Sequence, residues 1–133
     1  MSLAAIDTHA LLWAITGQRQ RLGRAARRLV ERADRGQAAL YVPTMVLVEI
    51  GEAEWRGAIR LRGGFDAWLE GLLSTGRFHA VDLSVAIVRR AQALFAIAER
   101  GDRLIAATAA ELEVPLITRD PAIGEAAGVD VIW

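Results

Sequence analysis

Four acidic residues, spread along the whole chain, could act together if folding brings them to one place. They are Asp7, Glu49, Asp102 and Asp120. In a partly desolvated cleft, mutual repulsion would raise some of their pKa values unless a cation neutralised the carboxylates. Oxygen ligands, in a chain with no cysteine and no His-x-x-x-His pair, favour a hard divalent ion such as Mg²⁺ or Mn²⁺ over zinc. These residues are therefore candidates for a carboxylate metal site.

Each of these acids also has a structural interpretation. Asp7, Asp102 and Asp120 all lie where a helix N-cap is wanted, and capping is the commoner role of a single aspartate at such a position. Glu49 is harder to explain in this way, because it follows the apolar run Met-Val-Leu-Val within a predicted helix. Since the chain has no lysine, a metal ion or an arginine must supply the charge opposite Glu49.

The elements that position these acids follow from hydrophobic periodicity. Short apolar runs predict strands at 3–6, 38–42, 78–81, 114–118 and 130–132. Amphipathic segments and caps predict helices over 8–15, 20–35, 44–57 and 65–73, then from Asp82 or Ser84 to a C-terminal Gly101, from Asp102 onward, and after Asp120-Pro121. This alternation predicts the α/β class, with a central, mostly parallel sheet flanked by helices.

The predicted topology brings the acids to one side of that sheet. In a parallel α/β sheet the carboxyl ends of the strands, and the starts of the helices that follow them, share the edge where ligands bind. Asp7 and Asp120 follow strands, Asp102 begins a helix, and Glu49 lies in the second turn of another. Topology thus places all four carboxylates at one edge, although it does not show that they meet.

Length and composition limit the class of protein. The 133 residues, 53% of them hydrophobic, predict a single domain spanning 1–133. The absence of cysteine fits a reducing compartment, and no signal peptide or membrane-spanning segment is predicted, so we expect a cytoplasmic protein. The formal net charge is zero, which excludes a long-range field that would hold nucleic acid unspecifically.

Charge and aromatic residues are nevertheless unevenly placed. Arg19–Arg35 holds seven arginines against two acids, and this segment is either a solvated helix face or an arm that contacts phosphates. His9 stands alone, which favours a structural role over a ligand role. The tryptophans at 13, 55 and 68 are expected mainly in the core.

Three segments together resemble a known family. They are AAIDTHALLWAI at 4–15, VPTMVLVEIGEA at 42–53, and GDRLIAATAAELEVPLITRD at 101–120. From residue 4 to about 132 the chain resembles the PIN-domain ribonucleases of the VapC toxin type, with the acids in the order and approximate spacing of that family. The resemblance implies a PIN-like three-layer fold.

The resemblance also implies roles for individual residues. Asp7, Glu49, Asp102 and Asp120 would form the metal-binding catalytic site, with Asp7 and Asp102 the closest ligands of Mg²⁺ or Mn²⁺. Thr8 and Thr118 would hydrogen-bond to those ligands. It further implies cleavage of RNA phosphodiesters, a homodimer, and inhibition by a cognate antitoxin that covers the site.

One segment departs from the family pattern. Many relatives carry Asp-Pro-x-Asp where this chain has Glu99-Arg100-Gly101-Asp102, so Glu99 is the candidate replacement for the first acid. The essential acid of the motif is retained as Asp102. We also expect Glu49 or Asp120 to orient or deprotonate the attacking water.

Two other protein classes with acids at strand ends do not fit these residues. A receiver domain is excluded because its chemistry uses a lysine, and a haloacid-dehalogenase-like phosphatase because Asp7 is followed by Thr8-His9 rather than by x-Asp. Two alternatives stay open. One is a catalytically silent PIN-like module that binds RNA or protein, and the other is a structure-specific DNA nuclease, which the small size of the chain disfavours.

Overall fold

Five parallel strands form the centre of the molecule in a computed structural model that describes residues 1–133. They are β1 (Ser2–Ile6), β2 (Ala38–Pro43), β3 (Phe78–Val81), β4 (Leu116–Ile117) and β5 (Val131–Ile132). Their order in the sheet is β3-β2-β1-β4-β5. Every neighbouring pair is parallel, which confirms the predicted sheet and extends it from mostly parallel to entirely parallel.

Seven α-helices flank this sheet and confirm the predicted α/β fold. They are α1 (Thr8–Ile15), α2 (Arg24–Asp34), α3 (Thr44–Trp55), α4 (Phe65–Ser74), α5 (Val85–Ala91), α6 (Arg100–Leu112) and α7 (Pro121–Ala127). None of them combines the length and the hydrophobicity that a membrane crossing requires.

The central strand β1 fixes the position of the first acid. Its last three residues, Ala4 to Ile6, are fully buried, as are the alanines of α6 that face the core. Small side chains on both elements let helix and sheet approach closely. The backbone N–H of Asp7 then donates to the carbonyl of Ile117 over 3.1 Å, so the ends of β1 and β4 lie side by side. Asp7 therefore stands at the carboxyl edge of the sheet.

The arginine-rich segment forms two elements where a single helix over 20–35 is predicted. A 3₁₀ turn covers Arg19–Arg21, and α2 begins only at Arg24. Gly23 precedes α2 in extended conformation, and a side chain there would overlap Trp133, which packs against it. The predicted amphipathic character of α2 is confirmed by the buried side chains Ala26, Leu29, Val30 and Ala33.

The prediction of one long helix ending at Gly101 is wrong. Helix α5 stops at Ala91 and a 3₁₀ turn follows, after which the N–H of Ile97 donates to the carbonyl three residues earlier, on Leu94. The 3₁₀ turn places Leu94 and Ile97, three residues apart, on one face, and both side chains are buried. Gly101 is consequently not a helix C-terminus, but the second residue of α6, without a positive φ.

Two smaller predictions also need correction. The strand predicted at 114–118 is ordered as β4 over only two residues, Leu116 and Ile117, because α6 ends just before it and pairing with β5 is short. Trp55 is not in the core: it lies at the end of α3 and is 84% exposed, whereas Trp13 and Trp68 are half-buried.

Candidate metal centre

The four predicted acids all line one cleft at the carboxyl edge of the sheet. The cleft has a volume of about 1140 Å³. Its acidic lining consists of Asp7, Glu49, Glu52, Glu99, Asp102 and Asp120. None of these carboxylates forms a salt bridge, because the three ion pairs of the protein involve other residues. Negative charge therefore accumulates in this cleft without a basic partner.

Asp7 is anchored by the start of α1. Its Oδ1 accepts a hydrogen bond from the N–H of Ala10 over 2.9 Å, so it caps the helix. Burial raises the pKa of the Asp7 carboxyl, and the Thr118 hydroxyl and the Ala10 N–H offset part of that rise, as do the charges of His9 and Arg119. The helix cap itself engages only Oδ1 of the two Asp7 oxygens.

Glu49 is positioned from two sides. The hydroxyl of Thr8 donates to its Oε1 over 2.5 Å, which joins α1 to α3. On the opposite side Gly101 gives its Oε2 room, since a Cβ at that position would lie 2.4 Å from this oxygen. Glycine costs about 1 kcal/mol relative to alanine inside a helix. At position 101 it leaves the space that the carboxylate of Glu49 occupies.

Asp102 carries the strongest electrostatic signature of the cleft. Its pKa is raised to about 6, first by partial burial and then by repulsion from Glu99, Glu49, Asp7 and Asp120 in that order. The other three predicted acids are therefore all close enough to Asp102 to repel its charge. Burial and neighbouring carboxylates thus oppose the charged form of Asp102, and no basic side chain pairs with it.

Asp120 stands at the mouth of the cleft and begins α7. Its Oδ1 accepts from the N–H of Ala122 over 3.0 Å, and its own N–H donates to the hydroxyl of Thr118 over 3.3 Å. Thr118 is 2% exposed, so its hydroxyl is fixed between the two aspartates that flank it. The two threonines that the resemblance implies near the acids lie beside them, Thr8 at Glu49 and Thr118 at Asp7 and Asp120.

Helix capping explains two of the aspartates and not the third. Asp7 and Asp120 are N-caps with side-chain hydrogen bonds, as their positions predict. The N-cap of α6 is Glu99 instead, with no side-chain cap bond, and Asp102 lies inside the first turn. The prediction of a capping role for Asp102 is therefore wrong, because α6 begins two residues earlier than the glycine signal indicates. Its place in the cleft needs another reason.

The donor set fits a hard divalent cation. Its six acidic side chains offer only oxygen ligands, His9 is the one histidine of the lining, and there is no cysteine. No three His, Asp or Glu side chains are close enough together to hold an ion by themselves. The structure thus brings the carboxylates to one cleft without closing them around one point. Mg²⁺ commonly takes one or two carboxylates and keeps several waters, whereas a zinc site needs three or four converging protein ligands.

Several residues of the cleft escaped prediction. Glu52 lies one helical turn beyond Glu49, at a spacing that places both on the same face of α3, and this could have identified it. Four arginines also line the cleft, namely Arg21, Arg56, Arg60 and Arg119. Nothing in the sequence around the first three indicates that they lie here. Only Arg119, directly between Thr118 and Asp120, has neighbours that would place it here.

An aromatic cluster closes one end of the cleft. Trp13 lies at its centre, with the guanidinium carbons of Arg21 and Arg119 at 5.2 and 5.5 Å from its ring centroids. The ring of His9 lies 5.8 Å from that of Trp13, and Trp133 meets Trp13 edge-on at 6.0 Å. His9 is exposed and belongs to this cluster, and the structural role predicted for it stays a prediction.

Comparison with known families gives one match over most of the chain. The family model for the PIN domain matches residues 4–129. No curated protein sequence matches the chain.

Comparison with solved structures gives neighbours of similar length. VapBC2 from Rickettsia felis, bound to a DNA fragment from its promoter, aligns with a TM-score of 0.71 and 16% identity over 97% of this chain and 96% of that chain. DNA-bound VapBC from Salmonella typhimurium aligns with a TM-score of 0.67 and 17% identity over 98% and 97%. FitAcB from Neisseria gonorrhoeae aligns with a TM-score of 0.62 and 18% identity over 97% and 95%. At these identities the alignments establish a shared fold.

Proposed function

Because the chain belongs to the PIN-domain family, we propose that it is a metal-dependent endoribonuclease that hydrolyses RNA phosphodiester bonds. The observation that carries this proposal is the cleft at the carboxyl edge of the sheet, where four carboxylates repel Asp102 and no basic side chain pairs with them. Such a cluster lowers the stability of the folded state unless something else neutralises it. A hard divalent cation does this and supports hydrolysis.

Asp7 and Asp102 would hold Mg²⁺ or Mn²⁺. They stand on the end of β1 and the first turn of α6, and each has a carboxylate oxygen that is free of hydrogen bonds to helix backbone. The chemistry that the ion supplies in such a site is orientation of the phosphate, a lower pKa for an attacking water, and charge stabilisation on the phosphate oxygens. Thr118 would keep Asp7 in place through its buried hydroxyl.

Glu49 and Asp120 are the candidates to orient or deprotonate the attacking water. One oxygen of each is already engaged, by the Thr8 hydroxyl for Glu49 and by the Ala122 N–H for Asp120. The second oxygen of each is therefore held in a defined direction and can accept a proton from water. The arginines that line the cleft would contact the RNA backbone.

We further propose that the protein is the toxin of a toxin–antitoxin pair. The support is its likeness in fold to chains of VapBC and FitAB complexes, together with near-complete coverage of both chains. In this proposal an antitoxin segment covers the acidic cleft. The homodimer that the resemblance implies stays a prediction, which sedimentation velocity of the purified protein would test.

The experiment that tests the nuclease function is incubation of the purified protein with total RNA. We expect cleavage with Mg²⁺ or Mn²⁺, no cleavage with EDTA, and cut ends that map to defined sites. Asp7→Asn should abolish cleavage while the protein stays folded, because asparagine retains the helix cap. Asp130→Asn removes the same charge from the exposed start of β5 and serves as the matched control. Cleavage by Asp7→Asn at the rate of the control would contradict the proposal, and RNA binding without cleavage would favour the silent binding module.

A further inference from the structure

The seven arginines of Arg19–Arg35 fall into different places in the fold. Arg19 is paired with Asp34 and does not line the cleft, and neither do the arginines of α2. Arg21 is the one member of the run at the cleft. It meets Arg119, which follows β4, at the indole of Trp13. Two guanidinium groups from distant parts of the chain are thus held over one aromatic side chain.

Neither guanidinium is used for ion pairing. Arg21 and Arg119 take part in none of the three salt bridges. Arg21 makes one long hydrogen bond, 3.4 Å to the side chain of Gln18. Arg21 and Arg119 are both exposed. A guanidinium held by an aromatic ring loses side-chain freedom before any ligand arrives, and it still presents N–H donors suited to two phosphate oxygens. The arrangement is that of a prepared anion site.

Arg21 and Arg119 lie where they can offset the repulsion between RNA and the acidic cleft. RNA carries one negative charge per nucleotide and must approach a cleft lined by six carboxylates in a protein of zero net charge. Arg119 lines the same cleft as Asp7 and directly precedes Asp120 in the chain. A backbone phosphate that contacts Arg119 and Arg21 would therefore lie beside the acids and not among them.

We propose that Arg21 and Arg119, held over Trp13, form a phosphate-binding subsite that binds the RNA backbone beside the acidic cleft. The subsite rests on the proposed function only in taking RNA as the ligand. Its two arginines position the substrate and take no part in bond cleavage, so they govern binding and KM while the metal-binding acids govern kcat.

The test measures RNA binding apart from cleavage. Fluorescence anisotropy of a labelled oligouridylate is recorded with the full chain carrying Asp102→Asn, in Mg²⁺, over a series of KCl concentrations. Arg21→Gln and Arg119→Gln are introduced singly and together. Arg28→Gln, an exposed arginine of α2 outside the cleft and without an ion pair, is the matched control for loss of one charge.

We expect each cleft substitution to weaken binding by about tenfold, as for the loss of a charge-assisted hydrogen bond. The slope of log Kd against log salt should fall by about 0.7 for each phosphate contact that is lost. The control should change neither quantity. The subsite is refuted if Arg21→Gln and Arg119→Gln weaken binding no more than Arg28→Gln does.

The same variants, made without Asp102→Asn, separate this inference from the nuclease function. If the protein cuts RNA and the two cleft variants leave KM unchanged, the subsite is wrong and the nuclease stands. If the protein cuts no RNA under any metal condition and the variants still lose binding, the subsite stands and the nuclease is wrong.

Discussion

Aspartate is treated in opposite ways at the two edges of the sheet. At the amino edge, Asp34 accepts hydrogen bonds from Arg19 over 2.5 Å and from Arg77, and these arginines hold the pKa of Asp34 below its usual range. At the carboxyl edge, burial and four neighbouring carboxylates raise the pKa of Asp102 to about 6. The charged form of an aspartate is thus stabilised at the amino edge and destabilised at the carboxyl edge.

The difference does not come from a shortage of arginine. Four arginines line the acidic cleft, yet none is within ion-pair distance of its six carboxylates. The helices and strands hold the two sets apart, with the Thr8 hydroxyl and backbone N–H groups as the partners that the acids do have. Charges that serve the folded state are paired within it, whereas charges left unpaired are available to a ligand.

We expect the largest difference between the two edges in the rate of RNA cleavage. Asp102→Asn should lower the cleavage rate in Mg²⁺ at least about 100-fold, since even partners one step removed from a metal typically account for 10- to 100-fold. Asp34→Asn removes an identical charge and should leave the rate unchanged within about twofold, in line with an exposed ion pair that contributes to stability alone. Initial rates on one RNA substrate give both values. Equal losses for the two variants would abolish the distinction between the edges.

A backbone substitution should produce the next largest effect. Gly101→Ala places a methyl group where Oε2 of Glu49 lies, at 2.4 Å, so the carboxylate must move. We expect affinity for Mn²⁺, measured by calorimetry, to fall about tenfold. Cleavage should fall with it. In a Glu49→Ala background the same substitution should have no effect on affinity, because nothing remains to be displaced.

Gly71→Ala is the matched control for this substitution. Gly71 lies in α4 with no atom within 4 Å of the added methyl group. Alanine there should raise stability by about 0.5 to 1 kcal/mol through helix propensity and leave Mn²⁺ affinity unchanged. If Gly101→Ala also left the affinity unchanged, Glu49 would not depend on the space that this glycine provides.

The pKa of Asp102 predicts how the metal-free protein responds to pH. Because the folded state raises this pKa from 3.8 to about 6, it holds a proton that the unfolded chain has lost between those values. Stability in EDTA should therefore fall as pH rises from about 4 to about 6, and stay lower above that. Water around the partly exposed carboxylate screens the repulsion, so we expect a loss of about 1 kcal/mol.

Urea unfolding at a series of pH values checks this expectation. Asp102→Asn should flatten the decline and make the metal-free protein more stable at neutral pH than the unsubstituted chain. Saturating Mg²⁺ should restore the stability of the unsubstituted chain, because it binds the folded state alone. A decline of the same size in Asp102→Asn would assign the effect to another group.

The smallest expected effect is on the free energy of unfolding at the amino edge, where removing an aspartate charge should lower stability and not raise it. The lowered pKa of Asp34 means that its contribution is present above pH 3.8 and is lost as pH falls below that value. At neutral pH, Asp34→Asn should cost about 0.5 kcal/mol, because the side chains of Asp34 and Arg19 are 31% and 32% exposed. Urea unfolding at pH 7 measures it, and an increase in stability would reverse the contrast between the edges.

The sequence predicts the acidic edge well because parallel topology and strand ends leave few alternatives. β1, α1 and β3 occupy nearly the residues predicted for them, and Asp7 and Asp120 follow their strands as expected. Hydrophobic runs of four or five residues followed by a cap are local signals, and the sheet edge then follows from chain order. The resemblance to the PIN domain agrees with the family match over 4–129.

The errors share a tertiary cause. Gly101 has the local signature of a helix end, yet the carboxylate of Glu49, from a different helix, explains the glycine. Gly23 interrupts the arginine segment because Trp133, at the other end of the chain, packs against it. Trp55 lies exposed at a helix end whose burial depends on neighbouring elements. Each depends on a contact between residues far apart in sequence, which periodicity does not report.

The central claim is that the carboxyl-edge cleft binds a hard cation, because no basic side chain of the protein pairs with the carboxylates there. Its most direct test is anomalous diffraction from crystals of the full chain grown in Mn²⁺. The account predicts an anomalous peak in the cleft, bonded to carboxylate oxygens of Asp7 and Asp102, with waters completing the shell. A saturated crystal with no peak in the cleft, or with Mn²⁺ bound only at Asp34 or elsewhere, would contradict it.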